Sequence, residues 1–231
     1  PMKTSFPKGQ IEAVLLEGVH PHGVEMLKSE GFKVESLPKA LEGAALRKAV
    51  ANAHIIGIRS KSELAAEVLA SAPRLLAVGC FCIGTNQVDL DAACASGVPV
   101  FNSPFSNTRS VAELTIAEIV GLHRRLCDKS AQMHAGNWDK SADGSHEVRG
   151  RTLGIIGYGR IGSQVSVLAE SMGLRVIYFD VLPRLPMGNA KSAKSLKEVL
   201  EQSDVVSLHV PATPRTDKLI SKRELAQMKR G

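Results

Sequence analysis

The fold is decided by residues 152–180, which read TLGIIGYGRIGSQVSVLAESMGLRVIYFD. The apolar run Thr152–Ile156 predicts a buried strand, and it leads directly into the glycine-rich turn Gly157–Gly162. The next ten residues carry apolar side chains at helical spacing, which predicts a helix packed on that strand. A β-branched and aromatic run over 175–179 predicts a second strand, and Asp180 follows it. The stretch therefore predicts a strand–turn–helix–strand unit that ends on an acid.

The turn has the spacing G-x-G-x-x-G, in which each glycine has a physical reason in a dinucleotide site. Gly157 permits a tight turn off the strand, Gly159 lets the backbone approach a pyrophosphate, and Gly162 lets the helix pack on the strand. The helix N-terminus offers free N–H groups to phosphates. Asp180 can accept hydrogen bonds from the adenosine ribose, and its charge disfavours the extra phosphate of NADP. NAD binding is the prediction; a glycine turn that merely ends a strand is the alternative.

Composition indicates a globular chain, and its charge balance fits a small anionic substrate at least as well as a nucleic acid. The 231 residues are 44% hydrophobic, enough for one large domain or two small ones. The net charge is +6, but basic residues alternate with acids and aromatics are only 4%, so a nucleic-acid partner is not predicted. No apolar stretch approaches the roughly 20 residues of a membrane span, and the polar first ten residues contain no export signal. A cytoplasmic location without a membrane partner is expected.

The cysteines do not indicate a metal site or a disulfide framework. Cys80 and Cys82 lie two apart, with no second cysteine or histidine pair at a spacing that would complete a zinc site. Cys94 and Cys127 are isolated. We therefore expect four free thiols and no metal.

The first hundred residues alternate between strand and helix patterns, which predicts a doubly wound parallel sheet of the flavodoxin-like type. Five strands are predicted, at 11–16, 33–37, 54–58, 74–78 and 98–102. Ser62 is expected to cap a helix that reaches about Ser71. One long helix is predicted over Arg109–Ala135, and its apolar side is a candidate contact in a homodimer or homotetramer.

The second half continues the strand–turn–helix–strand unit. A third strand is predicted over Asp204–His209, and Ser195 and Ser221 are expected to cap short helices. The predicted domains are a flavodoxin-like domain at 10–104 and, at 105–231, the N-terminal part of a Rossmann-type NAD-binding domain.

The residues now identify a family. The glycine turn with Asp180, the run VVSLHVPATPRT over 205–216 and the run SVAELT over 110–115 resemble the D-2-hydroxyacid dehydrogenases. Arg59-Ser60 and the run GCFCIGTNQVD over 79–89 are similar to the branch of that family that acts on 3-phosphoglycerate. The resemblance covers residues 12–230.

The resemblance implies an NAD-dependent enzyme in which residues 10–104 form the substrate domain, with the active site expected in a cleft between the two domains. The implied reaction is hydride transfer from C2 of 3-phosphoglycerate to NAD, which gives 3-phosphohydroxypyruvate and opens L-serine synthesis. A sister dehydrogenase acting on another 2-hydroxy acid is the alternative, and a non-catalytic NAD-binding module is the alternative from a different class.

The resemblance also assigns site residues. The positions that match substrate-binding residues of the family are Arg59, Ser60, Asn107, Lys39 and Lys140. The positions that match cofactor-binding residues are Gly157, Gly159, Arg160, Ile161, Gly162, Asp180, His209, Val210 and Pro211.

No catalytic residue is assigned within the 231 residues. The family's carboxylate-binding arginine, its acid/base histidine and the glutamate that orients the histidine are expected beyond Gly231. A polypeptide of these residues alone is therefore expected to be inactive. None of the seven histidines is predicted to be the general base, and His209 is expected beside the adenosine.

Overall fold

The computed structural model describes residues 6–230. By its internal contacts the chain divides into two compact units, Pro1–Ser106 and Asn107–Gly231. The predicted boundary between residues 104 and 105 lies two residues before this division. Each unit has its own parallel sheet and its own buried core, so each is described by itself.

The first unit is a five-stranded parallel sheet in the order β2-β1-β3-β4-β5. Its strands are β1 (Glu12–Leu15), β2 (Lys33–Ser36), β3 (Ile55–Ile58), β4 (Ala77–Cys80) and β5 (Val100–Asn102). Its helices are α1 (Pro21–Ser29), α2 (Gly43–Val50), α3 (Ala66–Ala70) and α4 (Leu90–Ala95), preceded by a 3₁₀ turn at Lys8–Gln10. The chain moves outward from β1 to β2 and then crosses back to β3. The strand order therefore reverses between β1 and β3, which makes this pair the topological switch point of the sheet.

Two predictions in the first unit are wrong in detail. Strand β4 begins at Ala77, three residues later than predicted. Helix α3 begins at Ala66 after Ala65, which makes no side-chain cap, so Ser62 is not a capping residue. Ser62 is fully buried, and its N–H donates to a side-chain oxygen of Glu17 at 2.8 Å. A long-range contact has overridden the local capping signal.

The predicted long helix of the second unit is two helices, α5 (Thr108–His123) and α6 (Leu126–His134). The helix breaks at Arg125, which has a left-handed backbone with φ of 52°. The Arg125 side chain donates to the carbonyl of Asp143 at 3.2 Å, and the His146 N–H donates to the carbonyl of His123 at 2.8 Å. The loop after α6 therefore makes hydrogen bonds to the residues where the helix breaks. The break was not predicted, because the apolar residues keep their helical spacing on both sides of it.

The second unit has a four-stranded parallel sheet in the order β8-β7-β6-β9. Its strands are β6 (Thr152–Ile156), β7 (Arg175–Phe179), β8 (Lys191–Ser192) and β9 (Val205–Leu208), with helices α7 (Arg160–Ser171), α8 (Leu196–Gln202) and α9 (Lys222–Leu225). Strand β8 was not predicted, because two residues carry no periodicity. Ser195 and Ser221 cap α8 and α9 as expected.

Strand β6 carries side chains to two cores. Leu153 and Ile155 pack in the cluster that α5 and α7 cover, whereas Ile156 packs with Val199 and Leu200 of α8. Helices thus cover both faces of a parallel sheet, and the predicted α/β doubly wound class is confirmed.

Between residues 6 and 230, no helix is both long and apolar enough to cross a membrane. All four cysteines are unpaired thiols, and burial raises the pKa of the Cys80 thiol to about 11. The part of the chain that the structure describes contains no group of three or more histidine, cysteine or acidic side chains that could hold a metal ion.

Two glycine-to-alanine substitutions should have opposite effects on stability. A Cβ at Gly154 in β6 would overlap Ser203 Oγ and lie 2.6 Å from Val199 Cγ1, so Gly154→Ala should cost about 1–3 kcal/mol. Gly121 lies inside α5 with its nearest contact, Leu126 Cβ, at 3.9 Å, so Gly121→Ala should gain about 0.5–1 kcal/mol. Urea unfolding of both variants measures the two free energies. Equal stability of the two variants would contradict the packing of α8 on β6.

Candidate functional site

The glycine turn after β6 has space for additional atoms on one side only. Gly157 has φ of 90°, and a Cβ there would lie 2.5 Å from the carbonyl oxygen of His209. A Cβ at Gly162 would overlap the carbonyl oxygen of Gly157, so α7 packs directly on the turn. A Cβ at Gly159 would meet nothing within 4 Å. The open side of the turn therefore lies at Gly159, which immediately precedes the N-terminus of α7.

The first turn of α7 suits an anion. The N-cap residue Gly159 has no side chain to accept hydrogen bonds from the first N–H groups of this 12-residue helix. Free N–H groups and the positive end of the helix dipole together favour a phosphate at this place. The turn and helix therefore fit the pyrophosphate of a dinucleotide.

Asp180 lies beside this turn with its carboxylate already oriented. Its Oδ2 accepts a hydrogen bond from the Tyr158 N–H at 2.8 Å, and its Oδ1 accepts one from the Leu182 N–H at 2.9 Å. Its side chain is only 9% exposed. Arg184 Nε lies 3.6 Å from Asp180 Oδ2. The sequence did not single out Arg184, because residues 181–184 follow no regular spacing that would relate it to the acid.

Two tyrosines hold the segment that follows Asp180. The rings of Tyr158 and Tyr178 stack with centroids 3.8 Å apart. The Tyr178 hydroxyl donates to the carbonyl of Arg184 at 2.7 Å, and the Tyr158 hydroxyl accepts from the Met187 N–H at 3.2 Å. The pair therefore fixes residues 184–187 next to the glycine turn. Sequence analysis missed this role, since a contact between positions 158 and 178 leaves no local pattern.

His209 follows β9 and adjoins the same turn. Its N–H donates to the carbonyl of Ile156 at 2.8 Å, and its Nε2 lies 3.0 Å from Ser207 Oγ. Burial lowers the pKa of His209, so the imidazole is neutral at pH 7. Strands β6 and β9 form the switch point of this sheet, and residues 209–211 lie at its carboxyl end.

In the first unit, Arg59 and Ser60 form the loop directly after β3. Three N–H groups of this loop donate to the carboxylate of one residue, Glu17: that of Arg59 at 3.1 Å, that of Lys61 at 3.0 Å and that of Ser62 at 2.8 Å. Glu17 follows β1, so the contact spans the two strands of the switch point.

Glu17 is a functional candidate that the sequence analysis missed. It is buried, and its backbone is left-handed with φ of 64°. Burial by itself raises the pKa of the Glu17 carboxyl, but the hydrogen bonds from the loop outweigh it and hold the pKa below its usual value. The carboxylate is therefore charged at neutral pH. Only its position, two residues past β1 at the carboxyl end of the sheet, could have indicated it.

The other predicted substrate residues are distributed over both units. Lys39 is exposed and follows β2, and its carbonyl accepts a hydrogen bond from the Glu17 N–H at 3.2 Å. Asn107 occupies the N-cap position of α5, but its side chain makes no capping hydrogen bond. Lys140 lies exposed in the loop after α6. The structure thus brings Arg59, Ser60 and Lys39 to the carboxyl end of the first sheet and places Asn107 and Lys140 in the second unit.

Known proteins match this chain along nearly all of its length. Residues 116–231 match the family described as D-isomer specific 2-hydroxyacid dehydrogenase, NAD binding domain. The chain is 54% identical over 230 residues to the D-3-phosphoglycerate dehydrogenase of Haemophilus influenzae, covering 99% of this chain and 56% of that protein. It is 51% identical over 226 residues to D-3-phosphoglycerate dehydrogenase 1 of Saccharomyces cerevisiae, covering 98% and 48%. The chain therefore spans about half the length of the curated relatives that it matches.

Solved structures share the fold. The crystal structure of the TT0316 protein from Thermus thermophilus matches with a TM-score of 0.85 and 31% identity, over 96% of this chain and 71% of that one. The D-lactate dehydrogenase of Aquifex aeolicus, solved with NAD and lactic acid, matches with a TM-score of 0.82 and 28% identity, over 94% and 66%.

The glycines of the turn give a test of the dinucleotide site that separates binding from folding. Gly159→Ala places a methyl group on the open side of the turn, so it should weaken NAD binding about tenfold or more with little loss of stability. Gly162→Ala should unfold the protein at clearly lower urea, because the methyl overlaps backbone that cannot move aside. Titration calorimetry with NAD and urea unfolding measure the two effects. Full NAD affinity in Gly159→Ala would place the pyrophosphate elsewhere.

Proposed function

The chain belongs to the D-isomer-specific 2-hydroxyacid dehydrogenases, and from this we propose that its protein oxidises 3-phosphoglycerate to 3-phosphohydroxypyruvate, the first step of L-serine synthesis. The observation that carries the proposal is the 49–54% identity, over 99% of the chain, to D-3-phosphoglycerate dehydrogenases of two bacteria. The exposed side chain of Arg59, at the carboxyl end of the first sheet, supports it. A steady-state assay of the full-length protein on phosphorylated and unphosphorylated 2-hydroxy acids tests it.

NAD is the cofactor of this family, and when bound it accepts the hydride from C2 of the substrate. In our proposal, the N-terminus of α7 and the backbone of Gly159, Arg160 and Ile161 bind the pyrophosphate, with Gly157 and Gly162 shaping the turn. The carboxylate of Asp180 binds the adenosine ribose. Neutral His209, together with Val210 and Pro211, borders the adenosine.

The substrate is a phosphorylated hydroxy acid, and we propose that cationic and hydrogen-bonding side chains hold it: Arg59, Ser60, Asn107, Lys39 and Lys140. The Arg59 guanidinium makes no ion pair or hydrogen bond with residues 6–230, so it is available to a phosphate. A planar guanidinium binds two phosphate oxygens at once. The acid/base residues are proposed to lie outside residues 1–231, as the resemblance implies.

The second candidate is a sister dehydrogenase for an unphosphorylated acid. The match to a D-lactate dehydrogenase at a TM-score of 0.82 favours it, because the same fold serves lactic acid in that protein. A non-catalytic NAD-binding module is the third. Turnover of any 2-hydroxy acid excludes the module, and the ratio of kcat/KM between phosphoglycerate and lactate decides between the two enzymes.

We also propose a homodimer or homotetramer formed through the second unit. Five large apolar side chains between residues 114 and 138 are 52–72% exposed: Leu114, Leu122, Leu126, Met133 and Trp138. Exposed apolar surface of this extent marks an interaction site more often than free surface. The unpaired state of all four cysteines supports a reducing compartment, and we propose the cytoplasm.

Replacing Arg59 should weaken the substrate and spare the cofactor. A charge-assisted hydrogen bond is worth about 1.5–3 kcal/mol, so Arg59→Ala should raise KM for 3-phosphoglycerate by at least about tenfold. KM for NAD should be nearly unchanged. Arg74→Ala is the matched control, since Arg74 is also exposed but precedes β4, at the opposite end of the sheet. An equal rise in both KM values would show that Arg59 supports the fold rather than the substrate.

The acid and arginine near the ribose predict a two-step change in cofactor preference. Asp180→Ala removes a carboxylate that repels the NADP phosphate and leaves Arg184 unpaired, so the ratio of NAD to NADP affinity should fall. Asp180→Ala/Arg184→Ala should lose the gain in NADP affinity. Dissociation constants from calorimetry measure both steps, with circular dichroism as a control because Tyr158 N–H loses its acceptor. A ratio unchanged in Asp180→Ala would remove Asp180 from the cofactor site.

A further inference from the structure

We propose that Glu17 is a positioning residue for the substrate: its carboxylate holds the backbone of residues 59–62, here the Arg59 loop, so that Arg59 and Ser60 face the substrate phosphate. The inference rests on the function proposed above, because it assigns Glu17 a part in the phosphate site. It concerns residues of the first unit only, and Glu17 itself is not proposed to touch the substrate.

The hydrogen bonds to Glu17 involve every backbone N–H of the Arg59 loop except that of Ser60. The N–H groups of Arg59, Lys61 and Ser62 all donate to Glu17, at 2.8–3.1 Å. Within the described part of the chain, the Ser60 N–H donates to no protein group. A loop whose other three N–H groups converge on one buried anion leaves the Ser60 N–H and hydroxyl, with the Arg59 guanidinium, for an external anion.

The opposite side of the loop is bound as well. Gln87 Nε2 donates to the Arg59 carbonyl at 2.7 Å, and Cys82 Sγ lies 3.2 Å from the same oxygen. Gln87 is buried, and it follows β4 on the far side of β3 from Glu17. The loop is therefore fixed from both neighbouring strands, so a bound phosphate meets an arginine whose backbone is already ordered.

Glu17 has two features that a purely structural link would not need. It is a buried carboxylate, and it has a left-handed backbone that glycine would adopt at no cost. Strained and charged residues persist where a functional arrangement requires them, and this one lies at the switch point where doubly wound sheets bind ligands.

The direction in which Glu17→Gln changes substrate affinity distinguishes a positioning role from a purely electrostatic one. The negative charge of Glu17 by itself opposes a bound phosphate, so neutral Glu17→Gln would tighten substrate binding if charge alone mattered. Positioning predicts the opposite, because in either orientation the amide NH₂ group would face at least one of the three N–H donors and loosen the loop. We expect Glu17→Gln to raise KM for 3-phosphoglycerate about threefold or more and Glu17→Ala about tenfold, each with KM for NAD unchanged.

Three further variants of the full-length protein exclude a general loss of stability. Glu17→Gly removes the left-handed strain together with the carboxylate, so its stability should exceed that of Glu17→Ala while its KM stays high. Asp89→Ala is the control, because Asp89 also accepts a backbone N–H, that of Ala92 at 2.9 Å, but it does not contact the Arg59 loop. Arg59→Ala completes a double-mutant cycle with Glu17→Ala.

The double-mutant cycle and amide hydrogen exchange together test whether Glu17 positions Arg59 for the substrate. We expect Glu17→Ala to add less than about twofold to KM once Arg59 is gone, and the Arg59, Lys61 and Ser62 amides to exchange faster in Glu17→Ala. Additive effects on KM, or faster exchange with KM unchanged, would reduce Glu17 to a structural link and overturn the inference. If the wild type oxidises another 2-hydroxy acid but not 3-phosphoglycerate, the proposed function fails, and the same cycle on that acid still judges Glu17.

Discussion

The second unit depends on a steric constraint at Gly157, where the chain after β9 passes so close that no side chain fits. The backbone oxygen of His209 and the helix residue Gly162 both approach this one turn. These contacts fix where α7 begins relative to the strands, and the start of α7 fixes where its free N–H groups lie. The space at Gly159 is open because the crowding is confined to the other side of the turn. A packing requirement thereby determines the place where an anion is proposed to bind.

In the first unit, the backbone at the switch point is fixed by a charged hydrogen-bond acceptor instead of by steric fit. Its switch point lies between β1 and β3, and there a buried carboxylate accepts the N–H groups of the neighbouring loop. A polar link of this kind is directional, so it orders the loop more narrowly than apolar packing would. It also consumes donors that would otherwise bind an anion without selectivity. The two units thus hold the backbone that is proposed to bind ligands at equivalent topological positions by different means.

Sequence patterns predicted the fold because its signals are local. The strands of the first unit, the glycine turn and the caps at Ser195 and Ser221 each lie within a few residues of the pattern that predicts them. The failures were non-local: the break at Arg125 depends on a loop about 20 residues further on, and Ser62 faces an acid 45 residues earlier instead of capping α3. The candidate site divides in the same way, since Asp180 was found by its spacing from the turn, whereas Glu17, Arg184 and the Tyr158–Tyr178 pair are defined only by the folded chain.

Residues found only in the structure share one physical property, which is that they act on the backbone of other residues. Glu17 accepts N–H groups of the loop that carries Arg59, and the two tyrosines bind backbone groups of the segment after Asp180. The residues that sequence motifs identify are those proposed to contact a ligand, and the chemistry of the ligand determines their type. A residue that orders a loop is dictated instead by where that loop must lie and by the backbone groups that it must bind there. Its role therefore leaves no local sequence pattern, although its removal should disturb the site nearly as much as removal of a contact residue.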